Sequence, residues 1–113
     1  MNRTITNIRA VEFASPRLHI EGPVYEALAD ALRDELPDDD YLPHTTVEVE
    51  DGDRLFRLIV SAIIYRRDDH RPEGLARRIT DVIPTWCELH SYIGEAEMLN
   101  DATFDELKRY IIE

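Results

Sequence analysis

One stretch, residues 44–66, limits what this chain can fold into more than any other. It reads His44-Thr45-Thr46-Val47-Glu48-Val49-Glu50, then Asp51-Gly52-Asp53, then Arg54-Leu55-Phe56-Arg57-Leu58-Ile59-Val60-Ser61-Ala62-Ile63-Ile64-Tyr65-Arg66. Two runs rich in β-branched and apolar residues flank an Asp-Gly turn signal, which predicts a β-hairpin. Asp-Gly suits a two-residue turn because both central positions take positive φ. Side chains alternate between faces along a strand, so the register decides which face is core. Phe56, Leu58, Val60, Ala62 and Ile64 form an unbroken apolar set, matched by Thr45, Val47 and Val49. The two sets share a face when Val49 pairs with Arg54, Val47 with Phe56 and Thr45 with Leu58. A two-residue Asp51-Gly52 loop gives that pairing. The even-numbered face of the long strand is therefore expected to be core. The opposite face carries Leu55, Arg57, Ile59, Ser61, Ile63 and Tyr65. It is half apolar, so it calls for a cover.

The rest of the chain supplies elements to pack against this hairpin. Residues 3–13 alternate loosely and read as an irregular strand, with Leu18-His19-Ile20 as a short second segment. Glu21-Gly22-Pro23 opens a helix, since proline is tolerated at the first helical position. Val24, Leu28, Ala31, Leu32 and Leu36 mark its buried stripe, and Pro37 ends it. Pro72 to Ile83 reads as a second helix, with Leu75, Ile79 and Val82 or Ile83 inward. Thr85 to Ile93 reads as a strand, with Cys87, Leu89 and Ile93 on one side and Trp86, Glu88, His90 and Tyr92 on the other. Thr103 and Glu106 have capping-box spacing and start a last helix that runs to about Ile112. The order is strand, helix, strand, strand, helix, strand, helix. Its first six elements match the ferredoxin-like βαββαβ pattern. The expected fold is α+β: a four-stranded, mainly antiparallel sheet with two helices on one face, plus a C-terminal helix. At 113 residues, a single domain spanning 1–113 is expected.

Charge narrows the choice of partner. The net charge of −11 repels nucleic-acid phosphates and anionic membranes, so neither is expected to bind directly. The acids are unevenly placed. Residues 21–53 hold twelve of them against Arg33 alone, whereas residues 54–80 hold seven arginines against three acids. No apolar run reaches the length of a membrane span, and no signal-peptide core follows Met1. Cys87 is the only cysteine, which rules out an internal disulfide. These absences lead to an expected cytoplasmic location.

No catalytic, metal or phosphate-binding motif stands out, and no cofactor is expected. Cys87 lies on the inward parity of its strand and reads as a packed thiol. On the open sheet face, His19, Glu88 and His90 offer two imidazoles and a carboxylate, a set suited to zinc but drawn from separate strands. RNA-recognition modules stack bases on sheet aromatics flanked by basic residues, which Leu18-His19-Ile20 does not supply.

The leading expectation is a small, acidic, non-enzymatic protein-binding or regulatory domain. It would dock a basic partner surface through residues 26–53, with Asp30, Asp34, Glu35, Asp38, Asp39 and Asp40 as contacts. Trp86 and Tyr92 would contribute from the sheet face, which also suits a sheet-to-sheet homodimer. Two alternatives remain. One is a DNA mimic that inhibits a nucleic-acid-binding protein. The other is a small enzyme or a ligand- or metal-binding domain that uses the open sheet face.

Overall fold

The hairpin forms, and it is the first of three in an unbroken meander. A computed structural model describes residues 17–112, and the statements that follow concern those residues. Helix α1 (Gly22–Arg33) is followed by β1 (Tyr41–Asp51), β2 (Arg54–Arg71), β3 (Gly74–Ile93), β4 (Ala96–Met98) and helix α2 (Phe104–Ile111). The strands form one sheet in the order β1-β2-β3-β4, with every pair antiparallel.

This order overturns the ferredoxin-like expectation. One helix precedes the strands and one follows them, and none crosses between strands. The predicted helix over Pro72–Ile83 is instead the end of the β2–β3 turn and the first half of β3. Arg71 pairs with Gly74 across Pro72-Glu73, and Gly74 has φ 131°, a backbone conformation that favours glycine. Leu18-His19-Ile20 is not a strand either. Leu18 makes only an isolated parallel bridge to Asn100. The strand expected over residues 3–13 lies outside the described residues.

The β1–β2 register differs from the expected one by two residues. Val49 pairs with Phe56, Val47 with Leu58 and Thr45 with Val60, and the turn is Gly52-Asp53 with Gly52 at φ 66°. The shift replaces a Val49–Arg54 pair by an apolar Val49–Phe56 pair. It also places Asp51 opposite Arg54, where the two side chains form a salt bridge. A two-residue shift leaves each side chain on its original face. The even face of β2 is accordingly core: Phe56, Leu58, Val60, Ala62 and Ile64 are all buried.

Helix α1 closes over that face with Val24, Tyr25, Leu28, Ala29 and Leu32. Helix α2 adds Leu107 and Ile111 to the same core cluster. Its start is as read: Thr103 is the N-cap, and its hydroxyl accepts from the Glu106 N–H at 3.2 Å. The helices are joined by stacked Tyr25 and Tyr110 rings, 6.0 Å between centroids. A Cβ on Gly22 would meet the Tyr110 hydroxyl at 3.0 Å, a tight contact that a larger residue would relieve only by moving the Tyr110 ring a few tenths of an ångström.

The β2–β3 pair runs far beyond its neighbours. β1 starts opposite Ile63, so among the described residues the ladder from Arg67–Arg78 to Arg71–Gly74 is a two-stranded ribbon with no third strand beside it. The molecule is elongated as a result. Its extents are 72 × 28 × 20 Å and its radius of gyration is 18.3 Å, against about 13 Å for a compact domain of 100 residues. Among the described residues, no helix is long and apolar enough to cross a membrane.

Candidate interaction surface

Pairing across β1, β2 and β3 sets out the open sheet face in rows. Tyr41 lies opposite Ile63, and Ile63 opposite Ile83. These three residues form an apolar row across three strands and are 50%, 37% and 40% exposed. Tyr65, one step further along β2, and Trp86 on β3 are each about half exposed beside it. Two bulges shape this region. One lies between Leu42 and Thr45 in β1, where Pro43 has no N–H to give a ladder. The other lies opposite Ser61/Ala62, where Thr85 is the extra residue of β3 and its hydroxyl is 2.9 Å from that of Ser61. The C-terminal helix does not cover the row, because its buried residues belong to the core on the other face.

The other half of this face satisfies itself. Arg57 Nε donates to Glu48 Oε2 at 2.6 Å, and its guanidinium lies 5.6 Å from the centre of the Tyr92 ring. That hydrogen bond with Glu48 holds the Arg57 pKa above its ordinary value. His90 Nδ1 is 3.0 Å from Glu97 Oε2, and its Nε2 is 3.3 Å from Glu88 Oε1. The hydrogen bonds to Glu97 and then Glu88 raise the His90 pKa and favour the imidazolium. Charged groups here are paired with neighbours on the same or an adjacent strand, whereas Tyr41, Ile63 and Ile83 are large apolar side chains left exposed.

An acidic edge adjoins the row. Asp38, Asp39 and Asp40 immediately precede Tyr41 and are exposed. Their backbone is held by Arg66, whose guanidinium donates to the carbonyls of Pro37 (2.6 Å), Asp38 (3.3 Å) and Asp39 (2.8 Å). The carboxylates of Asp34, Glu35, Asp38, Asp39 and Asp40 have no ion pair among the described residues. Asp30 differs: it is bonded at 2.5 Å to Arg33, whose guanidinium also reaches the Tyr110 carbonyl.

The structure therefore separates the residues singled out from sequence. Asp34, Glu35, Asp38, Asp39, Asp40 and Trp86 lie exposed. Tyr92 is half-buried, with the Arg57 guanidinium 5.6 Å from the centre of its ring. Glu88 and His90 come together, but His19 bonds elsewhere, with Nδ1 2.7 Å from Asp101 Oδ2. Both ring nitrogens of His90 already face carboxylates. No group of three or more His, Cys, Asp or Glu residues suited to a metal ion occurs among the described residues.

Cys87 has core parity but is exposed, because β4 flanks β3 only at Ser91–Ile93 and leaves this position at an open edge. Although the residue is exposed, its thiol is partly desolvated against the sheet, and this, with the Glu88 carboxylate adding to it, pushes its pKa up, away from a nucleophilic thiolate. Sequence reading missed Tyr41 and Ile83. The available signal was the turn-forming Pro72-Glu73-Gly74, which marks Ile83 as a strand residue once read as a hairpin end. Compared with known proteins, the chain matches no family model, no curated protein and no solved structure.

Proposed function

We propose that this chain is a non-enzymatic protein-binding domain. Its contact surface is the apolar row Tyr41–Ile63–Ile83 with Tyr65 and Trp86, bordered by the acidic residues Asp34–Asp40. The row itself carries this reading: it consists of large apolar side chains on three adjacent strands, left exposed while the polar half of the same face is internally paired. Interfaces typically have an apolar, aromatic-rich centre and a polar rim, and tryptophan and tyrosine are the commonest anchors. The unpaired carboxylates on the rim favour a partner whose own apolar patch is bordered by lysine or arginine. A cytoplasmic setting accords with the single unpaired cysteine.

The test is affinity capture from the native host, comparing the wild-type chain with Trp86→Ala and with Asp38→Asn/Asp39→Asn/Asp40→Asn. A partner retained by the wild type and lost with Trp86→Ala supports the apolar centre. Its capture should also weaken as salt rises, because screening acts on the rim. Identical capture by all three proteins at every salt concentration would remove this reading.

A further inference from the structure

The face that carries the apolar row continues onto the ribbon, and there its character changes. Ile63, Tyr65 and Arg67 occupy alternate positions of β2, so Arg67 stands on the same face as the row. Its partner across the ladder is Arg78. Like charges directly opposite one another destabilise a sheet. Neither arginine forms an ion pair among the described residues. Arg67 is exposed, and the Nε of Arg78 is buried without a hydrogen-bond partner. The neighbouring arginines on the other face of the ribbon are matched: Arg77 with Asp68 at 3.5 Å, and Arg66 with the carbonyls of Pro37, Asp38 and Asp39.

The unpaired acids lie at the same level of the sheet. The Ile64 N–H donates to the Asp40 carbonyl at 2.7 Å, so the acidic connection runs along the edge of β2 beside residues 64–66. Within one copy, no ion pair joins Asp38, Asp39 or Asp40 to Arg67 or Arg78 among the described residues. One surface thus offers an apolar centre, a set of unpaired carboxylates and two unpaired guanidiniums. A purely basic partner would be repelled by the arginines, and a purely acidic one, nucleic acid included, by the carboxylates. A second copy of the chain presents both signs. In a two-fold interface a contact of one residue with another recurs in reverse, so the acids of each chain can face the arginines of the other. We propose that this face pairs with itself. Two copies pack sheet to sheet through their Tyr41–Ile63–Ile83 rows, with the acidic connection of each against Arg67 and Arg78 of the other. The two-fold axis runs along the strands near β2, because that rotation exchanges the β1 side, where the acids lie, with the β3 side, where Arg78 lies. This inference rests on the row being the protein-binding surface, and it names the partner with a basic rim as the chain itself.

The test reads the mass of the full chain by light scattering at roughly 100 μM, enough to populate a dimer of micromolar Kd. Salt is held at about 0.15 M, where a Debye length of about 8 Å screens the repulsion between two chains of net charge −11. The wild type should show twice the monomer mass, and Trp86→Ala should move it towards the monomer. Two charge-reversed proteins are then compared, Arg67→Glu/Arg78→Glu and Asp38→Lys/Asp39→Lys/Asp40→Lys. Each sets like charges against one another on both sides of the two-fold axis and should raise the dimer Kd about a hundredfold or more. Mixed in equal amounts they should regain the dimer, because every reversed group then meets its opposite. A misfolded variant cannot imitate that rescue. If Arg78→Glu folds poorly, Arg67→Glu alone, at an exposed position, takes its place in the mixture. A wild type that stays monomeric, a dimer unmoved by either reversal, or folded variants that stay apart on mixing would overturn self-pairing. The row as a protein-binding surface fails separately, when Trp86→Ala also leaves capture from the host unchanged.

Discussion

The guanidinium of Arg66 donates to the main-chain carbonyl of Asp39 at 2.8 Å, so the most acidic connection in the chain is fastened through its backbone by an arginine. Two further carbonyls, those of Pro37 and Asp38, share the same group. Arg66→Ala should therefore lower stability by about 1.5–3 kcal/mol, the range for hydrogen bonds that involve a charged group. Arg66→Lys should recover only part of this, since an ammonium lacks the planar fork that spans several acceptors. Urea denaturation of the three proteins checks the order.

The two faces of the sheet should respond differently to truncation. Phe56 is fully buried, and Phe56→Ala is expected to cost about 3–5 kcal/mol. Trp86 is half exposed, and Trp86→Ala should change stability by roughly 0.5–1 kcal/mol at most. The same Trp86 variant should weaken partner binding by about 2 kcal/mol or more if the residue anchors the interface. Denaturation and titration calorimetry with the captured partner would show the two effects separating.

His90 gives a pH dependence whose sign follows from its partners. Its folded-state pKa is raised by Glu97 and Glu88, so folding favours the protonated ring. The contribution is fully present below the ordinary histidine value of about 6.5 and disappears as pH rises through the folded-state value. The stability difference between wild type and His90→Gln should accordingly be larger at pH 5.5 than at pH 8.5. Denaturant titrations of both proteins at the two pH values test this. A difference that grows with pH would contradict the pairing.

The first hairpin turn depends on one residue. Gly52 holds φ 66°. Gly52→Ala should cost about 1–2 kcal/mol, the penalty for a left-handed L-residue. Gly52→Asn should cost less, because asparagine tolerates that region. Nothing lies within 4 Å of a Cβ at this position, so the measured loss would report backbone conformation rather than a clash.

How much of this was legible in the sequence depended on whether a pattern kept its period. The core face of β2 was readable because Phe56 to Ile64 alternate without interruption, and face parity survived even a two-residue error in register. The Thr103–Glu106 cap was readable because it is local. β3 was misread as a helix because bulges interrupt its alternation. Arg66 pairs with Ile79 and Tyr65 with Asp81, which leaves Thr80 as an extra residue. Ile79 and Val82 can then both be buried although they are three positions apart. An i, i+3 spacing of apolar residues is a helical signature, and in this strand it arises from a bulge. Without β3 in place, Ile83 could not be set beside Ile63, so the apolar row stayed hidden. The His19–Glu88–His90 set failed for a related reason. It assumed a first strand beside the fourth, whereas His19 lies in a short extended segment that pairs with the approach to α2.

Among the described residues the ribbon at the end of β2 and β3 is unflanked, which has a hydrodynamic consequence. It lengthens the particle while adding little mass, so friction rises faster than molecular weight. A monomer of this chain should elute from a size-exclusion column ahead of a compact protein of equal mass, where it could be mistaken for a dimer. Light scattering, which reports mass independently of shape, is the measurement that distinguishes an elongated monomer from a pair joined through the sheet face.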